Sequence, residues 1–162
     1  MRGEITINNM LYSPFCTKNL TLTQWFWWNS QLYKPYGLLG HNGIDLRAPI
    51  WKTLYSTHAG ICSIHDDPNN PYGKYIKIRQ MYHDWGYETI YAHLSKILVK
   101  EGQYIEAKRI IGRTGNTWTN TTWPHLHLGL KFFHPDGSVK DYDNGYKWAV
   151  DPISYFQAWI TF

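Results

Sequence analysis

The sequence predicts a mainly β, single-domain protein with a short C-terminal helix. Three observations carry this. Short runs of alternating apolar and polar residues recur between clusters of Gly, Pro and Asn, the pattern of strands joined by turns. A length of 162 residues suits one domain with one sizeable core. Only the tail, residues 152–159, reads as helical, with Asp151 as its cap and Pro152 in the first turn.

Taken in order, residues 1–22 are polar and mixed, with a turn at Ser13-Pro14. Residues 1–34 are expected to form an N-terminal segment packed on the domain, and residues 35–162 the domain that carries the chemistry. Gln24-Trp25-Phe26-Trp27-Trp28 reads as a strand or strand edge whose aromatics enter the core, with a stacking platform for sugar rings as the alternative. Residues 33–40 are a Pro- and Gly-rich loop leading to His41. Residues 53–57 and 60–65 read as strands, and residues 66–73, with two prolines and two asparagines, as a surface loop. Lys74-Tyr75-Ile76-Lys77-Ile78-Arg79 alternates as a half-buried strand does, and residues 87–93 pair with it across a turn at His83-Asp84-Trp85-Gly86.

Gly102, Gly112 and Gly115 among Ile105, Ile110 and Ile111 indicate tight turns in a compact barrel or sandwich. Lipoyl and biotinyl carrier domains share that spacing. They present a modified lysine at a hairpin tip, for which Lys108 is poorly suited, and they need no set of histidines. Residues 118–123 form a threonine-rich polar loop before the strand that begins at His125 and runs to Phe133, where His134-Pro135-Asp136-Gly137 turns it.

Net charge is +4, which favours an acidic partner or an anionic cell wall. The basic residues are scattered with no block of like charge, so nucleic acid is not the expected partner. No apolar run is long enough to insert in a membrane. Met1-Arg2-Gly3-Glu4-Ile5-Thr6 lacks the pattern of a secretory signal, so cytoplasmic synthesis is expected, with release by some other route. Cys16 and Cys62 have no metal-binding spacing and are expected as thiols, with a disulfide as the alternative.

The chemistry lies in two stretches. In a strand, alternate side chains share a face, so His125 and His127 of Pro124-His125-Leu126-His127-Leu128 point the same way. In Gly40-His41-Asn42-Gly43-Ile44-Asp45, the Asn42-Gly43 turn pair folds the segment so that His41 and Asp45 converge. His41, Asp45 and one histidine of the 125/127 pair supply imidazole and carboxylate donors suited to Zn²⁺, with a fourth position left for water. The other histidine of the pair, and His93 in Tyr91-Ala92-His93-Leu94, are candidates for moving protons near neutral pH. Such an assembly suits hydrolysis of an amide bond.

Gly-His-Asn-Gly-Ile-Asp, Tyr-Ala-His-Leu, Ile-Gly-Arg-Thr-Gly-Asn-Thr and Pro-His-Leu-His occur in that order, over roughly residues 35–155. In this the chain resembles the lysostaphin-type, LytM-like zinc endopeptidases (peptidase family M23), which cut peptide bonds in bacterial peptidoglycan. The resemblance implies one zinc ion per chain on His41, Asp45 and His127. It gives His93 and His125 the acid/base and oxyanion roles, and implies an antiparallel β-sheet core with long loops forming a groove. The implied substrate is the stem or cross-bridge peptide of peptidoglycan. With no secretory signal and no separate wall-binding module in the sequence, the expected setting is a phage-type lysin or virion-associated enzyme, released by a holin or carried by a tail. The rival reading is an inactive relative that binds peptidoglycan or activates another hydrolase.

Two departures stand out. Gly129 occupies a position where many family members have glutamate, and residues 116–123 lack the usual glycine and carry two tryptophans, which reshapes one wall of the groove. His58, His65, His83 and His134 sit in or beside turns with no matching partner and are given no catalytic role. Tyr36 is either a donor to the oxyanion or a loop aromatic.

Overall fold

In the computed structural model, which describes residues 9–117, 123–141 and 143–162, the alternating runs form eleven strands. They are β1 (Leu22–Gln24), β2 (Ile44–Arg47), β3 (Thr53–Tyr55), β4 (Gly60–Asp66), β5 (Lys74–Met81), β6 (Gly86–Ala92), β7 (Leu94–Ile97), β8 (Tyr104–Ile105), β9 (Ile110–Thr114), β10 (His125–Phe133) and β11 (Ala149–Val150). The larger sheet runs β1-β2-β10-β6-β5-β4-β8, with β11 beside the second half of β10, and the smaller runs β3-β9-β7. Every strand pair is antiparallel.

The sheets share one core. Leu54, Leu94 and Ile111 of the smaller sheet meet Ile44, Ile76, Ile78, Leu126 and Leu128 of the larger, all fully buried. Period-two alternation on β10 sends Leu126, Leu128 and Leu130 into that core and turns His125, His127 and Gly129 to the other face. The expected hairpin is present as β5 and β6, with Gln80 opposite Tyr87, and its cross-strand pair Arg79–Glu88 closes at 2.8 Å.

The N-terminal segment contributes Leu11, Phe15 and Leu20 to the core. The aromatic run after β1 is not a strand, and Phe26 alone of its aromatics is buried; Trp25, Trp27 and Trp28 are exposed. Its backbone turns through left-handed conformations at Trp27 (φ 64°) and Asn29 (φ 58°), and its polar groups bond to His41 in place of a strand ladder. The α-helix of the fold is α1 (Ser30–Tyr33), followed by a 3₁₀ turn over Lys34–Tyr36.

The expected C-terminal helix is reduced to one 3₁₀ turn, Ile153–Tyr155, with the Ile153 N–H donating to Asp151 Oδ1 at 3.0 Å. Phe156 then goes extended and buries beside Leu11, a long-range contact that outweighs local helix propensity. Cys16 and Cys62 are both free thiols, one exposed and one buried. Of the loop at residues 118–123, only Trp123 lies among the described residues.

Candidate metal centre

β2 and β10 are neighbours in the larger sheet, and their register sets Asp45 opposite His127 and Arg47 opposite His125. Two side chains that lie opposite each other on one face are within contact. His127 Nδ1 accordingly lies 3.2 Å from Asp45 Oδ1. His41 stands just before β2 and brings its Nε2 to 2.9 Å from His127 Nδ1 and 3.2 Å from Asp45 Oδ1. The donors thus come from two adjacent strands and the approach to one of them.

Asn42-Gly43 makes a bend and no reversal. Gly43 is needed for a different reason: a Cβ there would sit 2.6 Å from His127 Cε1 and 2.7 Å from the Leu128 carbonyl oxygen. The absent side chain leaves the cradle in which the His127 ring lies.

His41 is fixed from three sides by the aromatic run. Its Nδ1 donates to the Trp25 carbonyl at 3.1 Å, its backbone N–H to Trp28, and its carbonyl accepts from Trp27. A carbonyl only accepts, so in the neutral ring Nδ1 carries the proton and Nε2 is a lone pair. His41 Nε2 and Asp45 Oδ1 are then both acceptors 3.2 Å apart in a buried setting, with His127 Nδ1 within hydrogen-bond distance of each, a place where either the His127 proton or a cation can sit. Tetrahedral zinc with bonds of about 2.0 Å spaces its ligands about 3.3 Å apart. The three edges here are 2.9, 3.2 and 3.2 Å, so the donor set fits such an ion in size and in chemistry.

Burial alone would raise the Asp45 carboxyl, but the facing His41 and His127 overcome it and hold it well below the usual carboxylate range. His127 is pushed down by burial, against the pull of Asp45. His127 Nε2 is buried and has no hydrogen-bond partner among the described residues.

The other two predicted histidines stand beside this triangle. His125 lies with its Nε2 3.6 Å from Asp45 Oδ2, and its Nδ1 donates to the Trp123 carbonyl at 2.8 Å, which leaves Nε2 as the lone pair facing inward. His93 occupies the corner between β6 and β7 in a left-handed conformation (φ 63°), its ring 4.8 Å from that of His125. Gly115 permits that corner, since a Cβ on it would come within 2.4 Å of the Ser95 nitrogen. Burial, and behind it the His127 and His125 rings, push His93 down to about 2. Its imidazole is neutral at any working pH.

Three contributors were not foreseen. Tyr33 stacks on His41 at 5.2 Å, its hydroxyl accepting from Gln24 Nε2 at 2.9 Å. Tyr72 comes from the segment read as a surface loop. Its ring lies 5.3 Å from that of His127, its hydroxyl accepts from Asn42 Nδ2 at 2.8 Å, and its carbonyl accepts from the His93 N–H. Burial pushes the Tyr72 phenol up to about 12, with the Asn42 bond pulling the other way, so it stays protonated. The third is the Trp25 carbonyl, which a sequence gives no means of locating.

These side chains floor a groove of about 960 Å³, with Tyr36, Trp123, Arg47 and Lys147 on its walls. His58 and His65 lie outside it: His58 is buried against Thr89 and Tyr87, and His65 stacks on Tyr75.

The sequence model of peptidase family M23 matches residues 39–144. Peptidoglycan DD-endopeptidase ShyA of Vibrio cholerae is 43% identical over 91 residues, which cover 56% of this chain and 20% of that protein. The chain spans about a fifth of the length of ShyA and of the related DD-endopeptidase ShyB of the same organism. A zinc-containing peptidase from Vibrio cholerae superposes with a TM-score of 0.61 at 29% identity, covering 82% of this chain and 39% of the other. The catalytic domain of lysostaphin from Staphylococcus simulans gives 0.55 at 28% identity, covering 70% and 76%.

Proposed function

The chain belongs to peptidase family M23, and from that membership we propose that it is a zinc-dependent endopeptidase hydrolysing peptide bonds of bacterial peptidoglycan. The observation that carries the reading is the triangle of His41 Nε2, Asp45 Oδ1 and His127 Nδ1, one carboxylate and two imidazoles at tetrahedral spacing on the floor of an open groove. These three residues would hold one zinc ion per chain. When bound, the ion lowers the pKa of a coordinated water toward about 7 and polarises the substrate carbonyl.

The protein's own groups do the rest. His125, with Nε2 turned to the centre and Nδ1 anchored on the Trp123 carbonyl, takes the proton of the attacking water and returns it to the leaving amine. His93, kept neutral by burial, donates an N–H hydrogen bond to the oxyanion as it forms. Tyr33 and Tyr72 brace the rings of His41 and His127 and exclude water behind them. Release by a holin or carriage on a phage tail belongs to the same reading, and co-expression with a holin, followed by turbidity, tests the first route.

Zymography on purified cell walls tests the activity. Clearing that disappears with chelator and returns with zinc is expected. Clearing indifferent to chelator, or none in zinc, overturns the proposal.

A further inference from the structure

Arg47 ends β2, and the register fixes where it points. It lies opposite His125, as Asp45 lies opposite His127, and residues two apart in a strand share a face. Its guanidinium therefore leaves the sheet on the groove side, one strand step from the donor triangle, and forms part of the groove wall. The Arg47 backbone N–H is bonded to the Thr21 carbonyl at 2.8 Å, which holds the strand and leaves the exposed side chain uncommitted. Among the described residues no carboxylate lies within ion-pair distance of it, and no side-chain hydrogen bond holds it. Arg79, by contrast, is paired with Glu88 and lies over Phe133.

The groove wall carries a second exposed cation, Lys147, and among the described residues the one carboxylate along the groove is Asp45, buried and engaged by His41 and His127. A cationic wall with no free anion among the described residues is complementary to an anion on the ligand. Arginine's planar fork matches a carboxylate with two parallel hydrogen bonds.

We propose that Arg47 is a specificity-determining residue that binds a free carboxylate on the substrate residue next to the scissile bond, with Lys147 adding to the positive field. The chain then selects acidic, carboxylate-bearing wall peptides over neutral segments. This rests on the peptidase reading above and narrows its substrate class.

Two synthetic peptides test it, alike except for a free carboxylate or a carboxamide on the residue beside the scissile amide. For binding, a ketomethylene replaces that amide so that nothing is cut, and calorimetric titration of the zinc-loaded chain gives each Kd. The carboxylate peptide is expected to bind about tenfold more tightly than its carboxamide twin. Arg47→Gln brings that ratio to about one, and Arg47→Glu takes it below one, each with an unshifted melting temperature; Arg47→Lys keeps a partial preference. The same ratios are expected in kcat/KM on the cleavable pair. A ratio unchanged in Arg47→Gln, or no binding of either peptide, overturns the proposal. Preferential binding without cleavage leaves carboxylate recognition standing and sinks the peptidase reading. Cleavage of both peptides at equal rates does the reverse.

Discussion

His41 and His127 stand 86 positions apart in the chain, yet their rings meet with Nε2 and Nδ1 at 2.9 Å, and both nitrogens lie 3.2 Å from one carboxylate oxygen of Asp45. Two imidazole nitrogens and a carboxylate oxygen crowd together in a buried place when something positive belongs among them.

His127→Ala is expected to lose zinc affinity by more than about 100-fold, because removing a ligand costs more than removing the outer partner of one. His125→Ala keeps the metal and loses about 10²–10⁴ in kcat, the usual contribution of a positioned acid/base group. Zinc titration with a chromophoric chelator, run beside peptide hydrolysis, separates the two. Equal metal loss in both variants would overturn this division of roles.

Gly43→Ala puts a methyl group 2.6 Å from His127 Cε1 and 2.7 Å from a backbone carbonyl that cannot swing away. Overpacking of this kind costs about 1–3 kcal/mol. The His127 ring must move, so zinc affinity is expected to fall by about tenfold or more along with the melting temperature. Calorimetric zinc titration checks the first and thermal denaturation the second.

Gly129→Glu acts in the opposite sense. A Cβ at position 129 lies 3.8 Å from His127 Nε2, the nitrogen without a partner, and meets nothing closer than 3.6 Å. A carboxylate starting there can accept the Nε2 proton and orient the ring for metal binding through Nδ1. Zinc affinity is expected to rise by about tenfold, and a competition titration against wild type checks it.

Stability should fall with acid through His58. Burial pushes this imidazole down to about 4, although its hydrogen bond to the Ala59 carbonyl pulls upward. Unfolded, the ring titrates at its ordinary value of 6.5. Between those limits the unfolded chain takes up a proton that the folded chain refuses, so the contribution is whole above pH 6.5 and is lost as pH falls toward 4. The loss is on the order of 3 kcal/mol. Urea midpoints at about pH 7 and about pH 5, both in chelator, should converge more in His58→Asn than in wild type. An unchanged difference between the two pH values would remove His58 from the account.

How much of this the sequence discloses depends on the distance over which each feature is determined. The strand β10 and the common face of His125 and His127 follow from period-two alternation, which is local. The β5–β6 hairpin follows from two such runs and the turn between them. The pairing of β2 with β10 does not: that Asp45 faces His127 is a register between segments some eighty residues apart, and only the family resemblance indicates it. The aromatic run misleads because its apolar composition signals burial, while its backbone is spent on His41 and three of its indoles are left outside. Tyr72 was hidden for the opposite reason, since prolines and asparagines around a tyrosine announce a loop and give no sign of what the loop folds over.

His93 sits where the chain leaves one sheet for the other, whereas His41, Asp45 and His127 all belong to the larger sheet or its immediate approach. Of the two histidines proposed to act on substrate, His93 is thus tied to the smaller sheet, whereas His125 stands on β10 with the donors. A small shift of the smaller sheet would displace His93 before it reached the donors, so metal content alone is a poor assay of a competent preparation.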